Sequence, residues 1–394
     1  MSAKIDFFPV DNGHMTLVTL ESGKKILIDI HIRDSEGDKD VPLVAPMLLD
    51  RLNRDEENRP YVDAFLLTHP DKDHVLGLSE FFHMGPLSDY DDEDGEKIVI
   101  REMWSSPIIF RRKTRINQEL CEDAKAWWAE ARRRVQAYRD GTGSVDGNRI
   151  LVLGEDIEQK TEGLDEIRID RGELMTMVNG EADGTFSADL LAPFTAQNDE
   201  ETEDALAKNR SSVVLRMHIA AGGTDDACLF LSGGDAEVFV WERLWQRNQD
   251  DTNVFDYHIL QAPHHCSIHS LSYDSWSELG GRLTINEDAR NALSQARDGA
   301  FIVSSSKPIS DDDQDPPCVR AEREYKAILK PVNGEFFCTM THQGSGKPKV
   351  LSFVIERGGP GLEKITPTGP VGPISTRLNP PSREFQKNEG GRYA

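Results

Sequence analysis

Positive charge, cysteine and long apolar runs are all scarce in this chain. Lys and Arg number 45 against 69 Asp and Glu in 394 residues, a formal net charge of −24. A surface of that average sign repels polyanions. This weighs against broad, non-specific nucleic-acid binding and leaves room for a local basic track or for metal-mediated contact with phosphate. The five cysteines (Cys121, Cys228, Cys266, Cys318 and Cys338) are odd in number, scattered and without CxxC spacing. They read as free thiols in a reducing cytosol. No window reaches the apolar length of a membrane span, and Met1-Ser2-Ala3-Lys4-Ile5-Asp6 has no apolar h-region, so a cytoplasmic protein without membrane contact is expected. Hydrophobic residues make up 38% of the chain, low but globular, and the length suffices for a large core and one or two domains.

What is present begins with alternation. Ile5 to Val10 leads into the turn signal Asp11-Asn12-Gly13, and His14 to Leu20 and Lys25 to Ile30 read as two strands joined by Glu21-Ser22-Gly23-Lys24. Leu43 to Leu52 reads as a helix, Val62 to Thr68 as a strand and Leu76 to Phe82 as a short helix. Residues 86–205 differ in character. An acidic loop (Ser88 to Glu96) precedes a strand-like Lys97 to Trp104, and Asn117 to Arg139 is a long helical stretch without Pro or Gly. That stretch carries Trp127, Trp128 and Arg132-Arg133-Arg134, with Arg111-Arg112-Lys113 and Arg115 just before it. These cations read either as a solvated helix face paired with Glu130 and its neighbours, or as a positive lip for an anionic substrate. Further strands are expected at Leu190 to Pro193, Ser211 to Ile219, Cys228 to Ser232, Tyr257 to Gln261, Phe301 to Ser305, Phe336 to Met340 and Val350 to Ile355. Helices are expected at Ala236 to Arg247 and Arg320 to Leu329. From 358 to 394 the chain is a tail rich in Pro and Gly, expected to be disordered or to hug the surface.

Three strand ends share one design, an apolar strand followed by a short loop loaded with His or Asp. The first is Thr68-His69-Pro70-Asp71-Lys72-Asp73-His74, the second Ser232 to Asp235, the third Pro263-His264-His265. Carboxylates crowded as in the first loop repel one another, and a divalent cation removes that cost. A rigid sheet can hold side chains from distant positions within reach of one point. Two imidazoles and two carboxylates from the first loop, Asp235 from the second and one or two imidazoles from the third suit a dinuclear site with a bridging carboxylate. Mixed His and Asp ligation without thiolate suits Zn or Mn. Two such ions about 3.5–4 Å apart suit phosphate-ester hydrolysis.

Thr68-His69-Pro70-Asp71-Lys72-Asp73-His74-Val75-Leu76-Gly77-Leu78 resembles the signature loop of the metallo-β-lactamase fold. More narrowly, its His-x-Asp-x-Asp-His pattern resembles the soluble hydrolase domain of the ComEC/Rec2 DNA-uptake proteins. Leu231 to Glu237 resembles the second aspartate loop of that family, and Leu260 to Ser267 its Pro-His-His-Gly-Ser block with Cys266 in place of Gly. Asn209 to Leu215 and Leu27-Ile28-Asp29 are similar to two further blocks. The resemblance covers about 1–85 and 205–355 in order, which is far more specific than a lone motif. It implies an α/β fold, the αββα sandwich, over 1–357, with a partly helical insert at about 86–205 and the extended C-terminal tail 358–394. It also implies that His69 and Asp71 hold one metal, Asp73 and His74 the second, and that Asp235 bridges them, with Asp73 able to orient the attacking water. His264 or His265 is then a ligand or the proton donor. Asp29 resembles a partner that fixes the tautomer of a ligating His.

Two departures stand out. The family's Gly-His-Pro after the strand equivalent to Phe301–Ser305 is replaced by Ser310 to Cys318, with no histidine. Either one metal loses a ligand, or Asp311 to Asp315 or Cys318 stands in. No equivalent of the lactamase middle histidine is evident. His83 is expected on a helix surface and His218 as a satisfied strand residue. His14, His31, His258, His269 and His342 are read as structural or exposed. Ser267 is read as a phosphate contact or a turn cap, and Lys307, Arg111 and Arg112 as substrate-binding candidates. The function expected is a metal-dependent phosphodiesterase or nuclease, with nucleic acid or another phosphodiester as substrate. The alternatives are a hydrolase of a small molecule or peptide on the same fold, or a degenerate-site scaffolding subunit with a protein partner in a multi-gene system.

Overall fold

The computed structural model describes residues 2–33, 42–91, 96–110, 120–156, 159, 161–194, 208–343 and 348–363. The strands expected above fall mainly into two large sheets. In the first, the path among the described residues runs Arg168–Ile169, Arg149–Leu153, Ile98–Ser105, Pro60–Leu66, Lys25–Ile28, Thr16–Thr19, Ala3–Phe7, Leu351–Glu356, Gly359–Leu362. Its half from Lys25–Ile28 to Arg168–Ile169 is parallel, and the other half is antiparallel. The second runs Leu174–Met175, Phe186–Ala192, Val214–Ala221, Thr224–Ser232, Tyr257–Gln261, Ala296–Ser304, Glu335–Cys338. Its last three pairings are parallel.

The two inner faces form one apolar core. Phe7 of the first sheet meets Phe230 of the second edge-on at 5.8 Å between ring centroids, among buried neighbours that include Met217, Ile259, Val303 and Phe353. The helix Glu122–Arg139 covers the outer face of the first sheet. Trp127 lies 4.9 Å from the Phe65 ring and donates its indole N–H to Ser105. On the outer face of the second sheet, Trp241 and Leu244 of Val238–Arg247, Ala289 and Leu293 of Glu287–Leu293, and Tyr325 and Ile328 of Val319–Leu329 share a second core with Leu260 and Ile302. The layering is helix, sheet, sheet, helix, as the resemblance implies.

The stretch set apart by sequence as an insert is woven into both sheets. Ile98–Ser105 and Arg149–Leu153 extend the parallel half of the first, and Phe186–Ala192 pairs with Val214–Ala221 in the second. Gly359–Leu362, on the tail side of the expected boundary at 357, pairs with Leu351–Glu356. Residues 364–394, the rest of that tail, lie outside the described residues. No helix among the described residues is long and apolar enough to cross a membrane.

The parallel strands decide where chemistry can sit. Pro60–Leu66, Tyr257–Gln261 and Ala296–Ser304, together with Thr224–Ser232, all run out at the same edge of the sandwich, the general location of ligand crevices in parallel α/β sheets.

Candidate metal centre

The first loop leaves the central strand Pro60–Leu66 and turns at once into the short helix Lys72–Val75. Its entry is clamped by Asp29, which follows Lys25–Ile28 with φ at +52°. One oxygen of the Asp29 carboxylate accepts from the Thr68 backbone N–H at 2.7 Å, and the other accepts from the Thr68 hydroxyl at 2.6 Å. That second oxygen also takes a hydrogen bond from His74 Nδ1 at 2.7 Å. Asp29 is fully buried, so its three short bonds are what make its presence tolerable. The His74 proton is thereby fixed on Nδ1, leaving the Nε2 lone pair free.

The second loop needs its glycine. Gly234 has φ at +50°, and a Cβ there would lie 2.5 Å from the Thr68 hydroxyl. The close approach brings Asp235 against the first loop. In the third loop, His264, His265 and Cys266 all take left-handed backbone conformations, with φ of 50°, 52° and 66°. A run of three non-glycine residues there costs about 1–3 kcal/mol each. The resemblance puts Gly where Cys266 stands, a residue with no such penalty. The turn carries the His265 ring into the centre, where Nδ1 donates to the Ser305 carbonyl at 3.1 Å and Nε2 is left as the free lone pair.

Asp73, His74, Asp235 and His265 offer one ligand atom each, all within 4.8 Å of one another. His74 Nε2 is 3.0 Å from Asp235 Oδ1, and His265 Nε2 is 3.4 Å from Asp235 Oδ2 and 3.2 Å from Asp73 Oδ2. His69 Nε2 is 3.6 Å from Asp235 Oδ2 and 3.9 Å from Asp71 Oδ2. His264 stands to one side, its Nε2 3.7 Å from Asp235 Oδ2 and 3.3 Å from the Asn209 amide nitrogen. His69, His74, His265 and Asp235 are buried, while the Asp73 and Asp71 side chains are 37% and 38% exposed, which leaves the pocket an open side.

Burial by itself would raise the Asp235 carboxyl, but His265, His74, His264 and His69 hold it well below the usual range. Asp73 is held low in the same way, against its burial, by the close His265 imidazole and the charge of His74. Burial opposes an imidazolium at His265, yet Asp235 and Asp73 raise it to about 9. Asp235 and Asp29 raise His74 well above its ordinary value. The centre demands positive charge among its carboxylates. His69 Nε2, His74 Nε2, His265 Nε2 and Asp235 Oδ1 are buried without a hydrogen-bond partner. Buried polar atoms are rarely left so, and four that face one another fit a divalent cation.

Other candidates fall elsewhere. Ser267 is buried and accepts from the His269 N–H as the cap of a short turn. Lys307 is exposed, and its backbone N–H donates to Asn12. Arg111 and Arg112 lie outside the described residues. Arg134 is buried, bonded to Glu130 and to the carbonyls of Ile100 and Arg149. Arg133 is held by Glu130, Asn148 and the Gly147 carbonyl. Only Arg132 of the triplet is exposed, over the Trp128 ring. His83, expected on a helix surface, is instead buried in the strand Phe82–His83 and bonded to the Pro86 carbonyl. His218 is satisfied by Asp189 and Asp226. Of the stand-ins considered for the missing histidine, Asp311 pairs with Arg323, and Asp315 accepts from the Ile268 N–H. Cys318 is buried at the start of Val319–Leu329.

Two further histidines, His14 and His31, lie beside the centre. His14, read as structural, is buried with its ring 4.6 Å from both the His74 and the His265 rings. His31 lies so close to Gly13 that a Cβ there would sit 2.1 Å from its Nδ1. Two signals in the sequence pointed to them: the turn glycine before His14, and the place of both beside the strands that frame the first loop.

No family model matches the chain, and no curated protein matches it by sequence. Among solved structures the chain is similar to unliganded yeast PDE1, with 12% identity and a TM-score of 0.39 over 86% of this chain and 96% of that one. It is also similar to a diphosphatase from the PhnP family, with 9% identity and a TM-score of 0.32 over 90% of this chain and 98% of that one.

Proposed function

We propose that this protein is a metal-dependent hydrolase of phosphodiesters, working through a dinuclear centre of Zn or Mn ions. The observation that carries the reading is the convergence of buried, unpartnered imidazole nitrogens of His69, His74 and His265 on the carboxylate of Asp235. His69 and Asp71 would hold one ion and Asp73, His74 and His265 the other, with Asp235 within reach of both sets. Bound divalent ions supply acidification of water and neutralisation of phosphate charge.

The chain's own residues do the rest. Asp29 and the Ser305 carbonyl keep the His74 and His265 protons on Nδ1, so both present a lone pair. Asp73, on the open side, would accept a hydrogen bond from the attacking water and orient it. His264 touches Asp235 only at 3.7 Å and stands at the rim, where it can hand a proton to the leaving oxygen. The His-x-Asp-x-Asp-His order supports a ComEC/Rec2-like lineage, and five free cysteines support a reducing, cytoplasmic setting.

A nuclease needs a basic track for the polymer. Arg133 and Arg134 are spent on the fold, which favours a second reading, a small or short phosphodiester, over a long duplex. Incubation in Mn with single-stranded DNA, duplex DNA, RNA, cyclic nucleotides and bis(p-nitrophenyl) phosphate tests the proposal. Cleavage of at least one, lost in Asp73→Ala, is expected. If Asp73→Ala cleaves as fast as the parent, or nothing is cleaved, the reading fails, and a binding or scaffolding role takes its place.

A further inference from the structure

The histidine absent from 310–318 has a replacement at the other end of the chain. We propose that His14 is an imidazole ligand of the metal centre, beside His74. The inference rests on the metal centre proposed above and adds a residue that the signature loops do not contain.

Four observations carry it. First, His14 is 1% exposed, and neither of its ring nitrogens has a hydrogen-bond partner. A buried imidazole kept only for packing would leave a donor and an acceptor unmet, which is costly. An apolar residue would fill the space without that cost.

Second, its ring stands 4.6 Å from both the His74 and the His265 rings, and its backbone N–H donates to the Asp73 carbonyl at 3.2 Å. It is tied to the loop whose side chains form the centre.

Third, the nearest carboxylate is already committed. His14 Nδ1 lies 3.9 Å from Asp29 Oδ2, beyond hydrogen-bond range, and Asp29 spends its two oxygens on Thr68 and His74. An ion pair with Asp29 therefore does not explain His14.

Fourth, the loop bearing His14 is docked onto the segment where the family histidine is missing. The Asn12 side chain accepts from the Lys307 N–H at 3.0 Å and donates to the Pro316 carbonyl at 2.9 Å. In the same segment Asp311 pairs with Arg323, while Asp315 accepts from the Ile268 N–H through Oδ1 and has Oδ2 3.7 Å from His269 Nε2.

The test measures metal, not turnover. Full-length wild type, His14→Leu and His14→Gln are stripped with chelator and compared by thermal melt. They are then titrated with Mn by calorimetry, and Co-loaded samples are followed by absorption spectroscopy. Leu fills the space without a donor atom, and Gln keeps polarity if Leu does not fold. The expected result is a 10–100-fold loss of affinity for one ion in both variants, with a changed Co spectrum. Wild-type affinity and an unchanged Co spectrum in a folded variant would overturn the proposal and leave the metal centre standing. A wild type that takes up no Mn, Zn or Co would remove the metal centre itself, and this inference with it.

Discussion

Replacing Asp29 with Asn changes one oxygen into an amide group and nothing in volume, yet it should damage the centre at a distance. Asp29 accepts with both oxygens, Oδ1 from the Thr68 N–H and Oδ2 from the Thr68 hydroxyl and His74 Nδ1. An Asn side chain has one acceptor oxygen. With that oxygen towards Thr68 N–H, the amide NH2 faces His74, whose proton must move from Nδ1 to Nε2, the atom aimed at Asp235. In the other orientation the NH2 opposes the Thr68 N–H, a buried donor against a donor. The first outcome blocks a ligand, and the second leaves the loop entry unclamped.

Loss of such a supporting partner lowers metal affinity by about 10–100-fold, or about 1.4–2.8 kcal/mol. The unmet donor adds about 1–3 kcal/mol to the loss of folding stability. Calorimetric titration with Mn reads the first and urea unfolding of the chelator-treated protein the second. Asp29→Asn with wild-type Mn affinity would refute the claim that this carboxylate sets the His74 tautomer.

Other outcomes are expected from the rest of the molecule. Arg134→Ala should destabilise the fold by about 3–5 kcal/mol in urea unfolding, because it breaks a buried ion pair with Glu130 and leaves the Ile100 and Arg149 carbonyls without their donor. Arg132→Ala, at an exposed site, should leave both stability and phosphodiester cleavage within error, and a large drop in cleavage would restore the positive lip. Gly13→Ala puts a Cβ into His31 and should cost about 1–3 kcal/mol; an unchanged unfolding midpoint would show that the contact yields freely. His218 is raised above its ordinary value by the Asp189 hydrogen bond, against partial burial. Its folded value thus exceeds its unfolded one, so its stabilisation is complete below the unfolded value and fades as pH rises through the folded value. The stability gap between wild type and His218→Gln should therefore be widest near pH 6 and narrow towards alkaline pH, and a gap that widens instead would contradict the assignment.

The centre was readable where its residues are consecutive or where a strand feeds a loop directly. Thr68 to His74, Asp235 and His265 meet because parallel strands end at one edge, and alternation and glycines mark those ends. The choice between His264 and His265 was not readable, since it depends on three successive left-handed residues, which no pattern of residue types specifies. His14 escaped notice for a different reason. It follows a turn in an ordinary hairpin, and its ring neighbours His74 and His265 come from segments sixty or more residues away, information that no local pattern holds. Arg134 shows the same limit from the other side. Its charge suggested a solvated face, but its position on Glu122–Arg139 points it under the helix, onto the carbonyls of Ile100 and Arg149. The strands within 86–205 matched strand patterns in part, but their membership of two different sheets is a matter of pairing partners, which periodicity does not encode.

Anomalous diffraction from crystals grown with Mn addresses the central claim most directly. The account requires a Mn peak bonded in common by His74, Asp73, Asp235 and His265, at the usual coordination distance of about 2.0–2.2 Å, with a second at His69 and Asp71. Density elsewhere on the molecule, with those side chains bonded only to one another at full Mn saturation, would contradict it.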